Sequence, residues 1–305
     1  MIDGGPGAVA TARRAGAPQT LTVGGVALEV FSRGQGEPVL VLHDCEYLNA
    51  WHPFLEALAG SFSVLAPSHP GFGRSELPQD FDSVDDLAYF YLDLLRSLPA
   101  GPVHLVGLGL GGWIAAEMAV RCTHDIERLV LVDAVGIKIS DRTDRDVADT
   151  FVVGPRELLE LAWHDPAAGE RQMRLPGLGS LPEAELVSLL RNRQSAALFT
   201  WKPFMHNPKL RRRLARIDRP TLVLWGESDR IVRPEYGRAY ARLIPGARFQ
   251  TIPAAGHYPY LERPEAFVSA VTVFFQAEAI TQRQLGVQWT PSRPPLPSLG
   301  EGAGG

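Results

Sequence analysis

Four short stretches hold residue types that do chemistry. Gly226-Glu227-Ser228-Asp229 offers a carboxylate and Ala255-Gly256-His257 an imidazole. A carboxylate bonded to one ring nitrogen fixes a histidine's tautomer and stabilises its protonated form, and the other nitrogen then works as acid or base near neutral pH. Gly107-Leu108-Gly109-Leu110-Gly111-Gly112-Trp113 runs into a helix, whose first N–H groups can hold a developing negative charge. His43-Asp44-Cys45-Glu46 brings two acids and a thiol, able to attack a substrate or bind a cation, or simply to form an ordinary polar loop.

These stretches follow short runs rich in Val, Ile and Leu. Strands are expected over Val26–Ser32, Pro38–His43, Ser63–Ala66, Val103–Val106, Leu129–Val132, Thr221–Leu224 and Arg248–Ile252. Helical patterns separate them at Trp51–Ala59, Val84–Leu98, Gly112–Arg121, Tyr236–Leu243 and Pro264–Ala277. Alternation of this kind implies an α/β fold with a largely parallel sheet, whose working groups gather at the carboxyl ends of its strands. From about Ile137 to Ile217 the rhythm stops, and only helical pieces occur, at Arg156–Ala162, Glu183–Ala196 and Pro208–Arg216. That stretch is expected to form a helical cap. Residues 1–18 and the proline-rich stretch 286–305 have too little to bury and are expected to be loose, so truncation after Leu285 should be tolerated.

Strand, glycine-bracketed turn and small-residue helix, then acid, then histidine, is the order of the α/β-hydrolase family, which the chain resembles from about Leu21 to Ala277. The phrases Ala66-Pro67-Ser68-His69-Pro70-Gly71-Phe72-Gly73-Arg74-Ser75, Leu224 to Asp229, Ala254 to His257 and Glu262-Arg263-Pro264 look most like the capped branch that includes carbon–carbon bond hydrolases acting on meta-cleavage products. The resemblance implies a mostly parallel eight-stranded sheet with helices on both faces. Its core would be residues 19–136 and 218–285, with the cap at 137–217. It also implies catalytic roles for Asp229 and His257 and an oxyanion donor in the Leu110 N–H, with Asp44 and Cys45 on the facing loop. The pattern breaks at the centre of the turn. Where the family has Ser, Cys or Asp, this chain has Gly109, beside an aliphatic Leu108. Glycine adopts the positive φ of such a turn without the roughly 1–3 kcal/mol strain of a side-chain-bearing residue.

Several enzymatic and non-enzymatic readings follow. In the leading one, the space left by the missing hydroxymethyl group holds a water that the His257–Asp229 dyad directs at a small carbonyl compound, or the dyad removes a substrate proton. A second makes the chain a catalytically silent binding or scaffold protein; a third uses Cys45 covalently. Restoring Ser at position 109 is then expected to give a poor esterase. Trp201, Phe204, Met205 and His206 are candidate pocket residues of the cap. Asp133 is an alternative acid or a hydrogen-bonded loop residue. His69 and His43 are expected to order their own loops.

Composition narrows the rest. The 305 residues are 45% hydrophobic and 21% charged, enough for a sizeable core and unlike a disordered chain. A net charge of −4 without a basic run argues against nucleic acid or a membrane surface as partner. Two cysteines, Cys45 and Cys122, make no disulfide framework or metal-finger spacing. No cofactor or metal is expected. A small molecule is the expected partner, a cytoplasmic location the default, and a homo-oligomer remains open.

Overall fold

The computed structural model describes residues 17–45, 50–99, 101–141, 143–173 and 182–277. The described residues up to Phe275 belong to one compact unit. A second, 276–305, is described only at Gln276 and Ala277. The expectations for the loose tail, for the first sixteen residues and for Glu46 lie outside the described residues.

Eight strands form one sheet: β1 (Gln19–Val23), β2 (Val26–Arg33), β3 (Pro38–Leu42), β4 (Ser63–Pro67), β5 (Val103–Leu108), β6 (Ile126–Val132), β7 (Thr221–Gly226) and β8 (Arg248–Ile252). Their order is β1-β2-β4-β3-β5-β6-β7-β8. The β1–β2 and β2–β4 pairs are antiparallel, and every other pair is parallel. Central strands are buried on both faces, β5 and β7 at every position, as their unbroken apolar runs require. Edge strand β1 is polar, with Val23 its one buried residue, so it has no apolar run to betray it. Its sequence signal is the Gly24-Gly25 pair, both at positive φ, closing a two-residue hairpin between Val23 and Val26.

The helices of the core are α1 (Pro53–Ala59), α2 (Val84–Ser97), α3 (Leu110–Arg121), α8 (Pro234–Leu243), α9 (Pro259–Glu262) and α10 (Pro264–Gln276). Helix α3 has buried residues all along its length, from Leu110 to Val120. Its small residues permit this: a Cβ on Gly111 would overlap the Leu42 carbonyl. The helix therefore lies directly on the end of β3.

Between β6 and β7 come α4 (Pro155–Ala162), α5 (Pro166–Met173), α6 (Glu183–Thr200) and α7 (Leu210–Arg213), the last followed by one 3-10 turn at Leu214–Arg216. Helix α6 docks on the loop after β4 through polar contacts to main chain. Arg191 donates to the carbonyls of Gly73 (2.8 Å) and Ser75, Asn192 Oδ1 accepts from Gly73 N–H (2.9 Å), and Ser195 Oγ donates to Gly71 O (2.8 Å). Among the described residues no helix is long and apolar enough to cross a membrane.

Candidate active site

The turn from β5 to α3 is pinned from both sides. Gly109 N–H donates to Val132 O of β6 (2.9 Å), and Gly111 N–H donates to His43 O at the end of β3 (2.9 Å). Gly109 has φ +49° and ψ −109°, a conformation open to glycine and strained for other residues.

Two histidines order the end of β3. The His43 Nδ1–H donates to the Asp44 carbonyl (2.5 Å), which leaves Nε2 to accept from His69 N–H (2.9 Å). His69 Nε2–H donates back to His43 O (2.8 Å), and its Nδ1 accepts from the Tyr91 hydroxyl (2.6 Å). The rings stack at 3.8 Å. Each ring thus donates at one nitrogen and accepts at the other, the pattern of a neutral imidazole. Burial enforces that state, pushing His43 down to about 4 and His69 well below the usual range, the latter helped by His43.

This arrangement sends the Asp44 side chain into the turn. Its Oδ1 accepts from Leu110 N–H (2.8 Å), and its Oδ2 lies 3.1 Å from His257 Nε2. A Cβ built on Gly109 would come within 2.5 Å of all three carboxylate atoms of Asp44. The space expected to hold a water is filled by that carboxylate, and the expected oxyanion donor at Leu110 is already bonded to it. An interior packed to crystal-like density leaves few vacancies the size of a side-chain oxygen unfilled.

On the far side, His257 Nδ1 is 2.8 Å from Asp229 Oδ2. Asp229 Oδ1 accepts from the N–H groups of Ile231 (2.8 Å) and Val232 (3.0 Å), which fixes the carboxylate. The His257 N–H itself donates to Ala162 O at the end of α4 (2.6 Å). Both ring nitrogens face carboxylate oxygens, so both carry hydrogen and the ring is an imidazolium. Burial opposes that charge, but Asp229 and Asp44 outweigh it and hold His257 well above the usual range. For Asp44, burial opposes ionisation, yet His257 and the backbone N–H groups of Leu110 and Cys45 hold the carboxyl below its usual range.

Asp133, at φ +44°, follows β6 and donates no charge to the array. Burial, then the neighbouring charge of Asp229, push its carboxyl well above the usual range, so it stands neutral, with Oδ1 accepting from Gly226 N–H (2.9 Å). Asp133, Asp229 and His257 bring ligand-type atoms within 4.8 Å of one another. The hydrogen bonds above already engage the ring nitrogens of His257 and both oxygens of Asp229.

The structure therefore joins Gly109, Leu110, Asp44, His257 and Asp229. Cys45 is half-buried beside them and acts on Asp44 through its backbone N–H. Leu108 is buried at the end of β5. The cap aromatics lie elsewhere. Trp201 is 53% exposed, and Phe204, Met205 and His206 line a cavity of about 230 Å³ with residues of the 137–147 stretch, away from the dyad. The reason is local: Gly136 N–H donates to Met205 O (3.0 Å) and Asn207 N–H to Gly136 O (2.9 Å), tying 205–207 to the chain just after β6. Sequence reasoning gave no role to Glu262, quoted only within a family phrase; it accepts from the N–H groups of Gly256 (2.6 Å) and His164 (2.9 Å) and so joins the histidine loop to the start of the cap helices. Sequence reasoning also missed Arg191, Asn192 and Ser195, which sit one side of α6 at spacings of one, three and four residues.

Comparisons with known proteins agree with this architecture. A family model described as the alpha/beta hydrolase family matches residues 39–270. A 2-hydroxy-6-oxo-2,4-heptadienoate hydrolase of Pseudomonas putida is 24% identical over 279 residues, covering 84% of this chain and 95% of the relative. Among solved structures, a 2-hydroxy-6-oxo-6-phenylhexa-2,4-dienoate hydrolase from Rhodococcus superposes with a TM-score of 0.70 at 22% identity, over 86% of this chain and 99% of that one. A meta-cleavage product hydrolase, CumD, gives a TM-score of 0.69 at 23% identity, over 85% and 98%. With its eight-stranded sheet and a match across most of its length, the chain belongs to the alpha/beta hydrolase family.

Proposed function

We propose that the protein is a hydrolase of small organic molecules whose acid–base group is His257, oriented by Asp229, on a turn where Gly109 leaves no side-chain nucleophile. The observation that carries this reading is the hydrogen-bonded line from Asp229 through His257 to the N-terminus of α3. A positioned carboxylate on Nδ1 and an oriented N–H at the opposite end are what acid–base catalysis with anion stabilisation needs. The water-attack route on a carbonyl gives way, because Asp44 stands where that water was expected. The test is a turnover screen of esters, lactones, vinylogous diketones and epoxides with wild type and His257→Ala. Loss of a positioned acid–base group should slow the accepted substrate roughly 10²–10⁴-fold. Equal rates in the two proteins would remove His257 from the chemistry.

A second reading, a catalytically silent binding protein, has one observation in its favour: Asp44 and His257 are only 6% and 4% exposed. It prevails if every substrate class in the screen is untouched by wild type.

A further inference from the structure

We propose that the groove where α2, the C-terminal end of α3 and α7 with its 3-10 turn converge binds a small organic phosphate. The ligand is a phosphate monoester with a flat apolar body, its phosphate held by Arg213 and Arg216 and its body lying against Tyr89. The site is separate from the His257 centre and stands whatever His257 does. Helix α3 has 12 residues, Leu110 to Arg121, so its ends are about 18 Å apart. The Gly109 turn precedes one end and the groove lies at the other.

The groove has a volume of about 660 Å³, within the range of small-molecule sites. Four guanidinium groups line it, from Arg96 on α2, Arg121 at the end of α3, Arg213 on α7 and Arg216 in the 3-10 turn. Only two acids, Asp85 and Asp93, line it with them, so the groove is positive on a chain whose net charge is −4. The pairings divide the arginines into two groups. Arg121 donates to Asp85 and to the side chain (2.5 Å) and carbonyl (2.6 Å) of Glu117. Arg96 Nη1 lies 3.8 Å from Asp93 Oδ1. The other two have no acid partner among the described residues. Arg216 donates from Nε to the Val120 carbonyl (3.0 Å), which closes the end of α3. Arg213 is half-buried and makes no hydrogen bond or ion pair among the described residues. Glu117 feels its charge but is already engaged by Arg121, Trp113 and Asn207. Burial first, then the charge of Arg213, pulls the Arg121 guanidinium below its usual range. A guanidinium held against a like charge is unfavourable by itself, and an anion beside the two relieves both.

The groove's chemistry selects the ligand. Two guanidinium forks with a surplus of two positive charges suit a doubly charged tetrahedral group, because each fork takes two oxygens and a carboxylate has only two in all. The two aspartates and the acidic chain disfavour a polyanionic polymer, so the ligand is small. Beside the arginines the wall turns apolar, with Leu92 and Val120 in it. Tyr89 is 54% exposed, and the Arg121 guanidinium 5.2 Å from its ring centroid holds the ring in place. A fixed, exposed ring offers contact area at little cost in side-chain freedom, and a flat apolar body attached to the phosphate covers it.

The deciding experiment titrates the full chain with phenyl phosphate, inorganic phosphate and benzoate at constant ionic strength. It uses calorimetry together with alkylation of cysteine by N-ethylmaleimide. Cys122 lines the groove and is half-buried, so it reports on the site through the tryptic peptide Cys122–Arg128, with Cys45 as the internal control. Phenyl phosphate should bind once per chain and slow alkylation of Cys122 while leaving Cys45 unchanged. Arg213→Ala should weaken phenyl phosphate roughly 10–100-fold, the loss of one charge-assisted contact. Its melting temperature should stay near wild type, since Arg213 bonds nothing among the described residues. Tyr89→Ala should lower phenyl phosphate to the affinity of inorganic phosphate and leave the latter unchanged. Arg212→Ala removes the same charge from the same helix but outside the groove, and should change nothing. Absence of phenyl phosphate binding, or binding that leaves Cys122 at its free rate, overturns the proposal without any variant. So does equal weakening by Arg212→Ala and Arg213→Ala, the mark of a diffuse charge effect. Tighter binding of benzoate overturns the phosphate, and inorganic phosphate binding as well as phenyl phosphate overturns the apolar body.

Discussion

Replacing Gly109 with serine would, by sequence alone, rebuild most of a catalytic triad; the structure gives the opposite expectation. A side chain at 109 must occupy φ +49°, at a cost of about 1–3 kcal/mol. Its Cβ must also displace the carboxylate of Asp44. Displacement breaks the bonds to Leu110 N–H and His257, charge-assisted contacts each worth about 1.5–3 kcal/mol. It also leaves a buried imidazolium with one carboxylate where it had two. Gly109→Ser should therefore lose about 4–9 kcal/mol, comparable with the whole stability of an ordinary domain. Asp44→Ala alone loses the same contacts without the strain, about 3–5 kcal/mol. The pair together should cost little more than Gly109→Ser, because the Asp44 contacts can be lost only once. Urea unfolding of the four proteins should give a coupling of about 2–3 kcal/mol, after partial relaxation of the displaced aspartate. Only the double variant should hydrolyse p-nitrophenyl acetate above its His257→Ala control. Additive stabilities, or a Gly109→Ser protein that melts near wild type, would refute the claim that Asp44 fills the turn.

Other outcomes follow from the same contacts. Stability should fall as pH drops from about 6.5 to 4, because His43 is neutral in the fold with a value of about 4 and charges more readily when unfolded. That single group contributes roughly 3 kcal/mol over the window, and His43→Gln should flatten the acid limb of a pH–melting curve. On the alkaline side the sign reverses: His257 is raised in the fold, so its contribution is complete below about 6.5 and is lost as pH rises through its folded value. His257→Gln should abolish that alkaline decline while lowering stability at neutral pH by about 3–5 kcal/mol. Gly111→Ala should cost about 3 kcal/mol or more by forcing α3 off the Leu42 carbonyl, measurable as a lowered urea midpoint. Arg191→Ala removes two charged donors from carbonyls and should increase hydrogen exchange at the neighbouring Gly71 and Gly73 amides, while leaving exchange in β5 and β6 unchanged.

The central strands were legible because burial on both faces writes itself as an unbroken apolar run, as at Val103–Val106 and Thr221–Leu224. The loops that follow them were legible for the same reason, since a strand's carboxyl end fixes where the next residue emerges. The positions of Asp229 and His257 were read this way, and the structure brings the two side chains together. The direction of Asp44 was not, because a loop side chain obeys no period. The signal that could have revealed it is volume: a turn stripped to glycine must have its space filled from somewhere, and Asp44 is the second residue beyond the neighbouring strand. The cap aromatics misled for a related reason. Trp201, Phe204 and His206 share a spacing that fits a pocket wall, but spacing does not say which pocket. Helix α5 was missed because its sequence PAAGERQM carries no apolar stripe to read, and α9 because four residues make little more than one turn.

The docking of α6 has a one-sided character. Among the hydrogen bonds of the described residues, Arg191, Asn192 and Ser195 grip the loop after β4 by its carbonyls and one amide. The loop is recognised as a backbone curve. Position 71 is the exception, since a Cβ there would press on Ser195 Oγ at 2.7 Å. Recombination between relatives should feel this asymmetry. A foreign β4 loop that keeps glycine at 71 and the same curve would be accepted by this α6 whatever its other side chains. A foreign α6 lacking the three polar residues would find nothing on this loop to hold.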